Sequence, residues 1–357
     1  MYCSRLEFLP ERIGALKKLV YLNLNCCFSL LDLPESVGEL ESLESLDMDF
    51  CKKIKRLPSQ VKSLANLRTL KLPGHPDFEE MPTDFNQCRK LTTLEYARGD
   101  NLESANLKNL HCLSVKDNTI DELPSIIWSC KGLEELGLYQ CLGLTSISSA
   151  IKKLNVLKHL ALYELYNLKE IPSSVGNLTA LEYLEIQKCD SVAELPNSLG
   201  SCHSLAELVL KECYSIVEIP ESIGHCEQLE RLIAISCEKL KRIPSKMDVK
   251  QLRLSFLPNL AAKPEAYPHL INLIMERIPI DAKTLQGIGR CQKLNYLDIN
   301  QCNELKEIPA AIGSCHNLEK ICVRECYSLK SFSGEIGACS KLKTLSIIGC
   351  DELVVLP

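Results

Sequence analysis

Cysteine and histidine are the residues of this 357-residue chain whose chemistry invites a test: there are 20 Cys and seven His. Three pairs are adjacent, Cys202-His203, His225-Cys226 and Cys315-His316. A thiol beside an imidazole can serve as nucleophile and base, clustered Cys and His bind zinc, and an even Cys count in an oxidising compartment suggests a disulfide framework. Their order along the chain argues against all three. Cys3, Cys27, Cys51, Cys141, Cys189, Cys213, Cys237, Cys302, Cys326 and Cys350 occupy one position of a 24-residue period. Cys88, Cys130, Cys202, Cys226, Cys291, Cys315 and Cys339 occupy a second, and Cys26, Cys112 and Cys322 lie outside both series. A catalytic pair has no need to recur, and evenly stepped thiols are badly placed to close four ligands on one metal ion. The first series is expected to turn inward, each thiol donating weakly to a backbone carbonyl of an adjoining coil. The second is expected to act as a small buried hydrophobe. So many free thiols imply a reducing compartment, and a cytoplasmic location is expected.

Other chemistry is missing from the sequence. There is no phosphate loop of the GxxxxGK(S/T) type, no GxGxxG after a strand, and no HExxH or GxSxG. Paired carboxylates such as Glu134-Glu135 read as surface strand residues with nothing to enclose them. No enzyme, no cofactor and no metal site is expected. The formal charge of −5 and the 24% charged residues give no sign of a nucleic-acid or polybasic membrane binder. No apolar run reaches the eighteen residues of a membrane span. The opening Met1-Tyr-Cys-Ser-Arg-Leu lacks the layout of a secretory signal, and Asn177-Leu-Thr is a lone glycosylation sequon.

The elements that position these residues follow from the period itself. Leu19, Leu43, Leu67 and Leu91 are 24 residues apart, as are Leu133, Leu157, Leu181, Leu205 and Leu229, and again Leu294, Leu318 and Leu342. With that Leu as zero, apolar residues recur at offsets 3, 5, 11, 14, 18 and often 21, Cys at 8, Pro at 15 and Gly at 19. Offsets 3 and 5 share a parity, so in an extended segment they face one way while 2, 4 and 6 face the other. Every coil repeats this in one direction, which demands a parallel sheet. Pro at offset 15 suits an extended or 3₁₀ return segment, and Gly at offset 19 is expected to permit the turn into the next strand. One coil cannot bury its leucines alone, so neighbours must cover it. The prediction is an α/β solenoid of about fifteen coils over residues 1–357, a horseshoe or arc with a concave parallel sheet.

The LxxLxL-xx-C-xxLxx(I/L)P-xx(I/V)G frame, as in Leu157–Ala180 and Leu181–Ser204, resembles leucine-rich repeats. It is most similar to plant intracellular repeats, those of nucleotide-binding immune receptors and of Ras-group-related proteins. The resemblance implies a non-catalytic module that binds a protein or peptide on its concave face, as the sensing or autoregulatory region of an intracellular immune receptor. Further domains of the same polypeptide are a second partner it implies. A free-standing signalling scaffold and a substrate adaptor for ubiquitin transfer are the alternatives.

The period breaks near residues 91–132, where one coil shrinks to 19 residues, and near 229–293, where two shorten to 20 and 21. In the second region IDAKTLQGIGRCQK has the apolar spacing of a short helix. Neither end shows a polar capping coil, so the solenoid is expected to be truncated at both ends and to belong to a longer protein.

Reading offsets 2, 4 and 6 gives the expected contact surface. Its early part is charged, with Asp47 and Asp49 beside Glu44 at offset 1, then Lys71 beside Arg68 at offset 1. Tyr139 and Tyr163 share offset 6 in successive coils and are expected side by side, about 5 Å apart, with Tyr183 at offset 2 of the following coil. Gly137 and Ala161 at offset 4 are expected to leave a shallow depression. Glu185, Val209 and Ile233 continue that row, and Gln187, Lys211 and Ile235 continue the tyrosine row. Exposed tyrosines among aliphatic residues resemble the centre of an interface. The expected partner-binding residues are Tyr139, Tyr163, Tyr183, Gln187, Val209, Lys211, Ile233 and Ile235.

Overall fold

Leucine at offset 3 fixes which way each strand faces. Leu46, Leu70, Leu94, Leu113, Leu136 and Leu160 are at most 1% exposed, and each stacks in register on its counterpart in the next coil. Burying one such side chain contributes about 1.5–3 kcal/mol. The spine they form is therefore the main stabilising feature of the repeat. The computed structural model describes residues 3–74, 78, 88–96, 107, 109–116, 120–261 and 267–356. The chain divides into two compact units, residues 1–168 and 169–357.

Among the described residues, the first unit carries seven parallel strands that pair in chain order: β1 (Tyr21–Asn23), β2 (Ser45–Asp47), β3 (Thr69–Lys71), β4 (Thr93–Tyr96), β5 (Cys112–Lys116), β6 (Glu135–Tyr139) and β7 (His159–Tyr163). The second carries eight more, β8 (Tyr183–Gln187), β9 (Glu207–Lys211), β10 (Arg231–Ile235), β11 (Gln251–Ser255), β12 (Asn272–Glu276), β13 (Tyr296–Asn300), β15 (Lys320–Arg324) and β17 (Thr344–Ile348). On the far side of that unit β14 (Glu307–Ile308) and β16 (Ser331–Phe332) form a two-stranded pair. The return segments hold short 3₁₀ turns, and the proline stands where the sequence places it, as the residue that opens the turn. Pro34 precedes Glu35–Glu39, Pro172 precedes Ser173–Asn177 and Pro196 precedes Asn197–Ser201. The aberrant coil from Leu270 contains the expected short helix, α1 (Ala282–Leu285), whose first turn is capped by Asp281 accepting from the Thr284 N–H at 2.6 Å.

The turn chemistry differs from the expectation in one respect. The left-handed residue lies at offset 7, directly after the strand, and is almost never glycine: Gln140 has φ 53°, Glu212 φ 51° and Gln301 φ 52°. A side chain in that region costs about 1–2 kcal/mol. The N–H so turned donates to the neighbouring coil, Gln140 to the Tyr163 carbonyl at 2.9 Å and Glu212 to the Ile235 carbonyl at 2.8 Å, extending the ladder by one rung. Glycine at offset 19 does other work. It sits inside the 3₁₀ turn, where a Cβ on Gly38 would lie 2.3 Å from the Gln60 carbonyl oxygen, and one on Gly176 2.3 Å from that of Ser198. These glycines admit the backbone of the next coil.

The thiols bridge coils as expected for offset 8. Cys51 donates to the Leu24 carbonyl at 3.1 Å and Cys213 to that of Ile186 at 3.3 Å. The late series does the same, which the expectation of a plain hydrophobe missed: Cys202 donates to Val175 at 3.5 Å and Cys315 to Ile288 at 3.2 Å. None of the twenty Cys is held in a disulfide. Burial raises the pKa of Cys51, Cys202, Cys302 and Cys315 to about 12. Among the described residues, no helix is long and apolar enough to cross a membrane.

Candidate functional site

In the first unit the register pairs Tyr139 with Tyr163. Their rings stack with centroids 5.0 Å apart and planes 7° from parallel, the spacing expected for one offset in successive coils. The depression expected at Gly137 is not open. A Cβ at that glycine would stand 2.5 Å from the Tyr139 ring, so the ring lies down over Gly137 and buries it. The small residue is what allows the aromatic wall to lie against the sheet; Ala161 in the next strand stays half-buried.

This wall borders a cavity of about 340 Å³. Among the described residues, three carboxylates, Asp49, Glu95 and Glu164, and one ammonium, Lys116, share its lining with the two tyrosines, and Leu72, Gly74, Ser114 and Gln140 also line it. Lys116 reaches from β5 to the ring of Phe50, its nitrogen 4.5 Å from the centroid, within cation–π range. Glu95 is held by Lys71 at 2.8 Å, and Glu164 accepts from the Gln140 amide at 2.8 Å. Asp49, one of the early charged residues of the expected surface, thus lines one cavity with the central tyrosines, a juxtaposition that the offsets do not reveal.

The candidates of the second unit are arranged otherwise. Glu185 is only 4% exposed. It accepts from the Tyr183 hydroxyl at 2.5 Å and from the Lys211 ammonium at 2.8 Å. Burial first, and the Glu185 charge second, push the tyrosine hydroxyl well above its ordinary pKa. Tyr183 and Lys211 are therefore engaged with each other's partner, unlike the freely presented side chains expected. Val209, 2% exposed, is not available for contact. It lies between the Lys211–Glu185 bond and the Glu207–Arg231 ion pair, whose long side chains flank it on the same face. Gln187, Ile233 and Ile235 are half-exposed.

The same polar cassette recurs farther along. The Tyr296 hydroxyl donates to Asp298 at 2.8 Å, and Arg324 donates to both oxygens of that carboxylate at 3.0 and 2.8 Å. In both cases tyrosine stands at offset 2, the acid at offset 4, and the base at offset 6 of the next coil. The repeated spacing was legible in the sequence, and reading single rows instead of diagonals missed it. Asp298 is 5% exposed, so its charge is held by these partners. Cys322, outside both thiol series, lies beside this cassette at 8% exposure. Among the described residues, no group of three or more His, Cys, Asp or Glu is placed to hold a metal ion.

Residues 117–261 match the family model described as a leucine-rich repeat region. A comparison with curated protein sequences finds no match. Among solved structures, a leucine-rich-repeat protein of Leptospira interrogans is similar at 19% identity and a TM-score of 0.52, over 96% of this chain and 94% of that one. An internalin of Listeria monocytogenes is similar at 16% identity and a TM-score of 0.53, over 88% and 87% of the two chains. At such identities the likeness speaks for the fold. Family match and strand-and-turn geometry agree: residues 117–261 are a leucine-rich-repeat region, and the other described coils have the same leucine-rich-repeat fold.

Proposed function

We propose that this chain is a non-catalytic recognition module that takes a protein or peptide on the open face of its sheet. The observation that carries the reading is the stacked Tyr139–Tyr163 pair standing beside an open cavity in the first unit. Tyrosine buries a large area at little rotamer cost, which is why it gathers at interface centres. The backbone here does not require two aromatic rings at offset 6, since Lys211, Asn300 and Arg324 occupy the equivalent place elsewhere. The Cys-xx-Leu-xx-(Ile/Leu)-Pro frame further supports the sensing repeat region of a plant intracellular immune receptor, acting in the cytoplasm, where free thiols persist.

The test is substitution of one ring. Tyr163→Ala is expected to weaken binding of a partner, captured with the intact chain and then titrated as a purified protein, by more than about 1 kcal/mol. The urea midpoint should stay close to that of the unsubstituted chain, because the ring lies on the open face. Unchanged affinity would remove the tyrosine pair from the site.

A further inference from the structure

The cavity beside the tyrosine pair is specific about charge. Among the described residues its lining sets three carboxylates, Asp49, Glu95 and Glu164, against the single ammonium of Lys116. Lys71, which pairs with Glu95, stands outside that lining. The one cation within is itself laid against an aromatic ring, Phe50, at 4.5 Å. The Gln140 amide also lines it and donates to Glu164, but in charge the three carboxylates still outnumber the one ammonium of that lining, beside two aromatic rings. A phosphate or carboxylate would be repelled there. An aromatic side chain could extend the stack, but it would cover the acids without offering them a hydrogen bond.

We infer that this cavity receives an arginine side chain of a partner peptide, with Lys116 as the internal cation against which that arginine competes. The inference rests on the recognition reading above and specifies its ligand. A guanidinium is flat, stacks on an aromatic ring and donates in a fork that fits carboxylates. A lysine of the partner would bring the charge without the stacking plane. The 340 Å³ of the cavity accommodates one such side chain with the backbone that carries it. The molecule holds a second example of the pairing, Arg277 over the Phe256 ring at 4.7 Å.

The position of Lys116 makes the idea testable by the sign of an effect. Random dodecapeptides displayed on phage are selected on the full chain and counter-selected on the Tyr163→Ala chain. One recovered peptide is then synthesised and titrated by fluorescence anisotropy. Recovered sequences are expected to share an arginine, and its replacement by citrulline, which keeps the shape and removes the charge, should cost roughly tenfold or more. Lys116→Gln removes the competing cation and should tighten binding roughly threefold or more at low salt, whereas Glu164→Gln should weaken it. Peptides that need Tyr163 but lack arginine, or that Lys116→Gln weakens, would overturn the arginine assignment and leave the recognition face standing. Recovery of no peptide that distinguishes the Tyr163→Ala chain would overturn both.

Discussion

The tightest packing in the repeat is at the offset-19 glycine, and Gly176→Ala puts it under test. A Cβ there would lie 2.3 Å from the Ser198 carbonyl oxygen and 2.6 Å from the Ser198 Cβ. Ordinary contact needs roughly 1 Å more, and the obstacle is backbone of the next coil's turn, so rotating a side chain gives no relief. Overpacking of this kind costs about 1–3 kcal/mol. Against it stands the gain from alanine over glycine in a helical turn, about 0.5–1 kcal/mol, since this glycine has no positive φ to protect. The expected net loss is about 1–2 kcal/mol, a fall in urea midpoint of about half a molar for a slope near 2–3 kcal/mol per molar. Gly337 supplies the control: it occupies the same offset, and a Cβ there meets nothing within 4 Å. Gly337→Ala is expected to be neutral or stabilising. Far-UV circular dichroism in urea reads both variants, and native-state hydrogen exchange shows which coils lose protection, since stacked repeats need not unfold as one. A Gly176→Ala chain as stable as the parent, or more so, would show that close approach of the coils is not why glycine is there.

Three further outcomes follow from the thiols and the polar cassettes. In the native chain at pH 8, alkylation read by peptide mass spectrometry should modify the exposed Cys3 and the half-exposed Cys26 and Cys350 first. The half-exposed Cys112 should lag, because burial and its bond to Glu135 raise its pKa to about 12; rapid labelling there would contradict that environment. The buried thiols also make the fold base-sensitive. Cys51, Cys202, Cys302 and Cys315 have pKa values raised from 9.0 to about 12, so the unfolded chain releases protons first as pH rises. Their contribution is intact below about pH 9 and is lost between about 9 and 12, at about 1 kcal/mol per thiol by pH 10. A urea midpoint that does not fall from pH 8 to pH 10 would refute this. Asp298→Asn, which strips the counter-charge from Arg324 and alters the acceptor of Tyr296, should cost about 1–3 kcal/mol in urea. Pairing it with Arg324→Met should recover part of the loss, and full additivity would show that the two do not act as a pair.

What the sequence makes legible here depends on which physical rule each residue obeys. The leucines at offsets 3 and 5 face inward because side chains alternate along a strand, and a period of 24 then dictates parallel stacking; both follow from spacing alone. Proline before the 3₁₀ turn is equally local, since its fixed φ suits the first step of a helical turn. Glycine was misread because its usual licence is conformational, whereas at Gly38 and Gly176 the constraint is the carbonyl of a neighbouring coil 2.3 Å from a would-be Cβ. The left-handed residue at offset 7 escaped notice for the opposite reason: Gln, Glu and Lys stand there in place of glycine, sustained by a hydrogen bond to another coil. The candidate site shows the same limit. Parity puts Tyr139 and Tyr163 on one face and in one row, but parity cannot say how much of a side chain its neighbours leave exposed, and Val209, between the Lys211–Glu185 and Glu207–Arg231 ion pairs of its face, is 2% exposed. Two contexts at offset 4 carry the point. Glu185 is satisfied by Tyr183 and Lys211, so that patch holds its strands together. Gly137 lets a tyrosine lie flat beside an acid-lined cavity, the place where the proposed partner would dock. A repeat supplies equivalent backbone positions, and what stands at offset 4 decides whether a coil braces its neighbour, as Glu185 does through Lys211, or leaves room for a ring to lie flat, as Gly137 does.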